Sequence, residues 1–129
     1  MQNVALLGFG TVGASVARIL DERVSDVNLT SILVRAGKEY VDPRATSDFD
    51  ALLSDPALDT VVECMGGLTP AYEYIKAALT AKKNVVTSNK AVVSAHFEEF
   101  MALAAEAGVN LKIEACVCGG IDRKSTRLN

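Results

Sequence analysis

The sequence predicts an α/β fold in which a doubly wound parallel sheet lies between two layers of helices. Short, continuously apolar runs alternate with longer segments of helical periodicity, a pattern typical of parallel strands buried on both faces. Aromatic residues make up only 5% of the chain and tryptophan is absent, so the core is expected to be aliphatic, which favours helices packed on a sheet. Crossovers between parallel strands are right-handed, and this winds the chain into three layers.

Length and composition exclude several classes of protein. The 129 residues are 50% hydrophobic with a net charge of -3, which suits one globular domain and excludes a disordered chain. No apolar stretch approaches the roughly 18 residues of a membrane span, and no basic leader marks a signal peptide. The acidic balance argues against nucleic-acid binding. Three cysteines without a C-x-x-C pair indicate a reducing compartment, so we expect a cytoplasmic protein.

The apolar runs predict five strands and the periodic segments predict four helices. The predicted strands are residues 3–7, 29–34, 59–63, 84–87 and 111–117, and the predicted helices are 11–23, 48–53, 70–81 and 95–107. Residues expected to face the core from the longer helices follow the i, i+3, i+4 spacing. They are Val12, Val16, Ile19 and Leu20, then Ala71, Ile75, Ala78 and Leu79, then Phe97, Phe100, Met101 and Ala104.

A glycine motif of the form G-x-G-x-x-G separates the first predicted strand from the first predicted helix, with glycines at Gly8, Gly10 and Gly13. Gly8 would permit the tight turn, Gly10 would let the backbone approach a pyrophosphate, and Gly13 would let helix and strand pack closely. The amides and dipole of the helix start favour an anion there. The bare motif is weak, but its position indicates a dinucleotide site rather than a turn without a ligand.

Residues at the end of the second predicted strand contact the adenosine ribose in a dinucleotide site and distinguish NAD from NADP. An NAD site usually places an acidic residue about 20 residues beyond the glycines. Here Arg35 lies 22 residues beyond Gly13, with Lys38 close behind. Because a guanidinium pairs with a 2′-phosphate, the pattern favours NADP, the alternative being two solvated loop residues.

Two further strand ends lie at the edge where such sheets bind ligands. Lys90 follows the fourth predicted strand, where its ammonium group could approach a substrate or the nicotinamide, or simply face solvent. Residues 114–121 end the fifth, and their glycines would let carbonyl groups turn toward an ion, or would lead into a turn. Position alone does not decide the role of Lys90, whereas for residues 114–121 it favours the turn.

The cysteines and the single histidine are predicted to have no chemical role. Cys64, Cys116 and Cys118 are expected to be small buried apolar residues, and no base is placed locally to activate a thiol. His96 is expected to be solvated at a helix start, and one histidine does not assemble a metal site.

Four segments carry a family resemblance. In chain order they are G-F-G-T-V-G at 8–13, V-V-E-C-M-G-G at 61–67, V-V-T-S-N-K at 85–90 and E-A-C-V-C-G-G-I at 114–121. Together they resemble homoserine dehydrogenase, over residues 3–121 and over the family's nucleotide-binding half only. The last two segments are far more specific than the glycine loop, and they weigh against another oxidoreductase on this fold, such as an aspartate dehydrogenase-like enzyme.

The resemblance implies a Rossmann-like domain and the NAD(P)-dependent interconversion of L-homoserine and L-aspartate 4-semialdehyde, in threonine and methionine biosynthesis. Lys90 matches a family lysine that is implicated in catalysis. The cofactor-binding residues so implied are Gly8, Phe9, Gly10, Thr11, Val12, Gly13, Arg35, Lys38, Gly66, Ser88 and Lys90. A monovalent cation such as sodium is implied at Glu114, Val117, Gly119 and Ile121, mostly through backbone oxygens.

The end of the chain departs from the family. Asp122 stands where the family usually has proline, and residues 122–129 resemble nothing in it. We therefore expect a domain over residues 1–121, a non-native or disordered tail, and no substrate domain. The chain should retain the fold but not turn over substrate, whereas the full-length enzyme is expected to be a homo-oligomer. A complete reading frame of this length would instead favour a nucleotide-binding module without catalysis.

Overall fold

The computed structural model describes residues 2–23, 25–65 and 70–113, and their centre is a parallel sheet. Its six strands are β1 (Gln2–Leu7), β2 (Val27–Leu33), β3 (Ala45–Thr46), β4 (Thr60–Glu63), β5 (Asn84–Thr87) and β6 (Leu111–Ile113). They lie side by side in the order β3-β2-β1-β4-β5-β6, and every neighbouring pair is parallel. The predicted parallel α/β sheet is confirmed.

The strand order reverses at β1, which places a crevice at its carboxyl end. The chain moves outward from β1 through β2 to β3 and then returns to β4 on the other side of β1. Leu7 is in register with Leu33 of β2 and with Glu63 of β4, and Glu63 is in register with Thr87 of β5. The loops after these four strands therefore begin at one level, where ligands of open α/β sheets bind.

Helices cover both faces of the sheet and give it three layers. They are α1 (Thr11–Arg23), α2 (Phe49–Ser54), α3 (Ala71–Thr80), α4 (Lys90–Ala95) and α5 (Phe97–Ala107). Along β1, Val4 and Leu6 belong to a core cluster with α1, whereas Ala5 and Leu7 belong to a second cluster with the other helices. This alternation follows from the two-residue period of a strand. No helix in these described ranges is long and apolar enough to cross a membrane.

Helix boundaries follow local capping chemistry. Asp48 accepts a hydrogen bond from the Ala51 amide at the start of α2, and Asn89 does the same for the Val92 amide at the start of α4. Such caps satisfy amides that have no partner within the helix. α5 ends at Gly108, whose φ of 73° is the left-handed conformation that favours glycine.

Several predicted elements differ from the structure. The helix predicted at 95–107 is α5, which begins at Phe97, whereas the preceding helix α4 and the two-residue edge strand β3 were not predicted. Val12 and Phe97 are 46% and 52% exposed, so their predicted core positions are wrong. α1 instead turns a different set of residues, spaced i, i+3, i+4 and i+7, toward the sheet. This set comprises Gly13, Val16, Ala17 and Leu20.

His96 and Cys64 also differ from expectation. The His96 ring lies 4.1 Å from that of Tyr72 and 5.8 Å from that of Phe100, so it is packed rather than simply solvated. Cys64 is half-buried. Cys116, Cys118, the end of the fifth predicted strand and the boundary at residue 121 lie outside the described residues.

Arg44 connects the segment before β3 to α1. Its guanidinium contacts Asp21 of α1 at 3.0 Å and Asp42 at 2.9 Å. The hydrogen bonds from Arg44 hold the pKa of Asp42 below its usual value of 3.8, because they stabilise the ionised carboxylate. This pairing anchors one end of the loop that follows β2, and that loop forms part of the cleft described next.

Candidate functional site

The glycine loop joins β1 to α1 through backbone contacts that side chains would obstruct. Gly8 has a φ of 101°, and its amide donates to the Leu33 carbonyl at 3.0 Å. A Cβ on Gly13 would lie 2.2 Å from the Gly8 carbonyl oxygen. These contacts confirm the tight turn predicted for Gly8 and the close helix–strand packing predicted for Gly13.

Gly10 has a different environment from the other two glycines. It is exposed, and a Cβ built on it would meet no atom within 4 Å, so protein packing does not require a glycine there. α1 begins at the next residue and carries no acidic side chain in its first turn. This combination fits a ligand whose anionic group approaches the backbone at Gly10 and the positive end of α1.

A cleft of about 870 Å³ opens over the glycine loop at the carboxyl ends of β1, β2 and β4. One wall is formed by Gly8, Phe9 and Gly10. The end and loop of β2 contribute Leu33, Val34, Arg35, Lys38, Tyr40 and Val41. The wall on the β4 side consists of Cys64, Met65, Pro70 and Tyr74. The cleft therefore lies at the position where the strand order reverses.

The two predicted basic residues both line the β2 side of this cleft. Arg35 and Lys38 are exposed, and the Lys38 amide donates to the Arg35 carbonyl at 3.0 Å, which closes a turn between them. Two acidic residues lie in this loop, Asp42, which pairs with Arg44, and Glu39, which directly follows Lys38. A hydrogen bond from the Ser47 side chain and one from the Gly37 amide lower the pKa of the Glu39 carboxyl group. The Glu39 carboxylate is therefore hydrogen-bonded within the chain.

A hydrogen-bonded chain of buried groups connects the ends of β4 and β5. Glu63 is 0% exposed, and its carboxyl group accepts from the Thr87 hydroxyl at 2.5 Å and from the Met65 amide at 2.7 Å. Thr87 Oγ1 in turn accepts from the Asn89 amide at 2.9 Å. Because Asn89 caps α4, this chain sets where α4 begins, and Lys90 is its first residue.

The structure brings only some of the predicted site residues together. Those that line the cleft are Gly8, Phe9, Gly10, Arg35 and Lys38. Thr11, Val12 and Gly13 form the adjoining first turn of α1, and Ser88 and Lys90 lie at the same edge of the sheet, beyond the cleft lining. Gly66 and the predicted cation ligands Glu114, Val117, Gly119 and Ile121 lie outside the described residues. Within the described ranges, no three His, Cys, Asp or Glu residues form a metal cluster.

Sequence reasoning missed part of this region. Glu63 was given no role, although an acidic residue at the end of the apolar run T-V-V-E is a recognisable signal for a buried, hydrogen-bonded carboxyl group. Tyr40 and Tyr74 were also missed, because they lie in two separate segments and only the fold places them around one cleft.

Comparison with known proteins agrees with this geometry. A family model described as "Homoserine dehydrogenase, NAD binding domain" matches residues 8–114. Homoserine dehydrogenase of Synechocystis sp. is 40% identical over 129 residues, which cover 92% of this chain and 30% of the relative. That of Lactococcus lactis is 37% identical, in a match that covers 98% of this chain and 33% of the relative.

Solved structures give the same result. Homoserine dehydrogenase of S. aureus at pH 8.5 superposes with a TM-score of 0.79 at 37% identity, over 89% of this chain and 32% of that chain. The enzyme from Thiobacillus denitrificans gives a TM-score of 0.78 at 31% identity. The chain thus spans about a third of the length of the relatives it matches. It belongs to the homoserine dehydrogenase family, as that family's domain for a nicotinamide cofactor.

Proposed function

We propose that this chain binds NADP(H) in the cleft above the glycine loop and is the nucleotide-binding part of a homoserine dehydrogenase. The observation that carries the proposal is that a site suited to the pyrophosphate and a site suited to the 2′-phosphate of NADP(H) lie on one cleft. An open approach to the backbone at Gly10 and the positive end of α1 suit the pyrophosphate. Arg35 and Lys38 on the same cleft suit the 2′-phosphate.

The activity proposed for the longer protein is the interconversion of L-homoserine and L-aspartate 4-semialdehyde. When bound, the nicotinamide supplies hydride transfer at its C4 to or from the carbon that bears the substrate oxygen. Within this chain, the proposed catalytic group is the Lys90 ammonium. Lys90 is the first residue of α4, and the buried hydrogen bonds from Glu63 through Thr87 to Asn89 set where that helix begins. Ser88 is proposed to line the nicotinamide side.

The remaining proposals follow from the family or from the composition rather than from the described contacts. They are a monovalent cation such as sodium at Glu114, Val117, Gly119 and Ile121, a domain boundary near residue 121, a cytoplasmic location, a homo-oligomer for the longer protein, and no nucleic-acid partner. Asp122 and the residues after it are proposed to add nothing to the fold.

Cofactor preference tests the nucleotide proposal. We expect the chain to bind NADPH more tightly than NADH, and Arg35→Ala to weaken NADPH binding about tenfold or more with little change for NADH. A charged hydrogen bond to phosphate contributes about 1.5–3 kcal/mol, and about 1.4 kcal/mol is tenfold. Titration of both nucleotides by calorimetry measures this. Arg18→Ala, an exposed arginine on α1, is the matched control, and tighter binding of NADH by the unaltered chain would overturn the preference.

An activity assay tests the proposal that this chain binds the nucleotide but does not catalyse the reaction by itself. We expect the 129-residue polypeptide, supplied with NADP and L-homoserine, to form no NADPH detectable by ultraviolet absorbance. It spans about a third of the length of its relatives, and hydride transfer needs a substrate held close to the nicotinamide. Measurable NADPH formation that depends on L-homoserine would contradict this expectation.

A further inference from the structure

Tyr40 is the most exposed large apolar side chain in the described part of the protein. Five such side chains stand out, and Tyr40, at 76%, exceeds the next, Phe97, at 52%. Three of the five, Tyr40, Val41 and Met65, line the same cleft. An aromatic ring exposed to this extent within a concave site is typical of a surface that a ligand covers.

The other tyrosine of the cleft is already engaged. The Tyr74 ring lies 4.2 Å from the ring of Phe49, centre to centre, and is half-buried beside the core. Its ring therefore contributes to packing between α2 and α3. Phe9, the third aromatic residue of the cleft, is partly buried against the core cluster of α1. Among these three, Tyr40 is the one whose ring is mostly exposed and available to a planar ligand group.

The charge beside the ring defines the ligand further. Lys38 Nζ lies over the Tyr40 ring, 6.0 Å from its centre, a separation at which an ammonium and a ring attract each other. A ring that has a cation over it and is still 76% exposed offers surface to a base and charge to a phosphate, which is complementary to adenosine 2′-phosphate, since that group carries an aromatic base and a phosphate on one ribose. NADP(H) contains this group, and NAD(H) has the base without the phosphate.

We propose that Tyr40 is the stacking surface for the adenine base of NADP(H), with Lys38 beside it at the 2′-phosphate. The inference rests on the proposed function and adds a determinant of nucleotide affinity that lies outside the glycine motif. Tyr40 acts through its ring face, since stacking of a base on an aromatic side chain needs no hydrogen bond. Its hydroxyl group has no part in the contact.

Truncation and a conservative replacement separate this role from others. We expect Tyr40→Ala to weaken binding of NADPH and of adenosine 2′,5′-bisphosphate about tenfold each, as loss of one base-stacking contact does. Tyr40→Phe keeps the ring and should bind both within about twofold of the unaltered chain. Binding of reduced nicotinamide mononucleotide, which has no adenine, should not change. Calorimetric titration supplies the affinities.

Fluorescence locates the base directly. Since the chain has no tryptophan, Tyr40→Trp introduces a single reporter, whose emission should be quenched by adenosine 2′,5′-bisphosphate. Phe97→Trp places the same reporter at an exposed position on α5 that does not line the cleft, and it should not respond.

The possible results separate the two proposals. Equal NADPH affinity of Tyr40→Ala and the unaltered chain would overturn the role of Tyr40 while leaving the proposed function intact. A fall in affinity for reduced nicotinamide mononucleotide as large as that for NADPH would also overturn it, because it would indicate a general disturbance of the cleft. If the unaltered chain binds neither NADPH nor adenosine 2′,5′-bisphosphate, the proposed function fails and the role of Tyr40 fails with it.

Discussion

Gly13→Ala is expected to lower the free energy of unfolding by about 3 kcal/mol or more, the upper range for overpacking a close contact. The added Cβ would lie 2.2 Å from the Gly8 carbonyl oxygen and 2.9 Å from its carbon. Both are backbone atoms at the end of β1, so relief requires α1 to move away from the sheet. Urea unfolding followed by circular dichroism measures the change.

Gly10→Ala is the matched control within the same motif. Its Cβ would meet no protein atom within 4 Å, so stability should change by less than about 1 kcal/mol, the size of an ordinary glycine-to-alanine effect. NADPH affinity should nevertheless fall, because the methyl group would occupy the proposed approach of the pyrophosphate. Equal stability of Gly13→Ala and Gly10→Ala would show that the contact between helix and strand is not the constraint on Gly13.

Glu63→Ala is expected to cost about 3–5 kcal/mol of folding stability. The substitution leaves a cavity in a fully buried site and removes the acceptor for the Thr87 hydroxyl and the Met65 amide. Each buried donor left without its partner costs about 1–3 kcal/mol, and the cavity adds to this. Urea unfolding measures the loss, with Glu106→Ala, an exposed residue of α5, as the control.

The same substitution should also loosen the start of α4. The Asn89 amide donates to Thr87 Oγ1, and the Val92 amide donates to the Asn89 side chain, so both hydrogen bonds depend on the position that Glu63 gives Thr87. Amide hydrogen exchange at these two positions should accelerate in Glu63→Ala more than at Phe100 in the core of α5. Unchanged exchange at Asn89 and Val92 would show that Glu63 does not position the segment that carries Lys90.

The order and type of the main elements could be predicted from local patterns. Continuous apolar runs identified β1, β2, β4 and β5 to within about two residues. In α3 all four predicted core residues are buried at 0% exposure, namely Ala71, Ile75, Ala78 and Leu79. These predictions succeed because a strand or helix period repeats several times within each segment, and the glycine motif was readable because its spacing is local too.

The direction that a helix faces depended on its packing partner. Periodicity showed that α1 has an apolar side, but α1 packs with Gly13 toward the Gly8 carbonyl, so closely that an added Cβ would lie 2.2 Å from its oxygen, and this orientation leaves Val12 exposed. In α5 the face that packs on α3 is centred on Phe100 and Ala104, which leaves Phe97 in solvent. A residue at the margin of an apolar stripe has no local signal that says which way it points.

Local pattern alone was sufficient for the parallel α/β architecture and for the glycine loop, because both depend on residues close together in the chain. Tertiary structure alone decided the existence of β3, since two residues have no period and this strand forms by pairing with Ile32 and Leu33 of β2. It also decided the make-up of the cleft and the burial of Glu63. Tyr40, Met65 and Tyr74 become neighbours of the glycine loop only through contacts between strands that are distant in sequence, and no short window of residues contains that information.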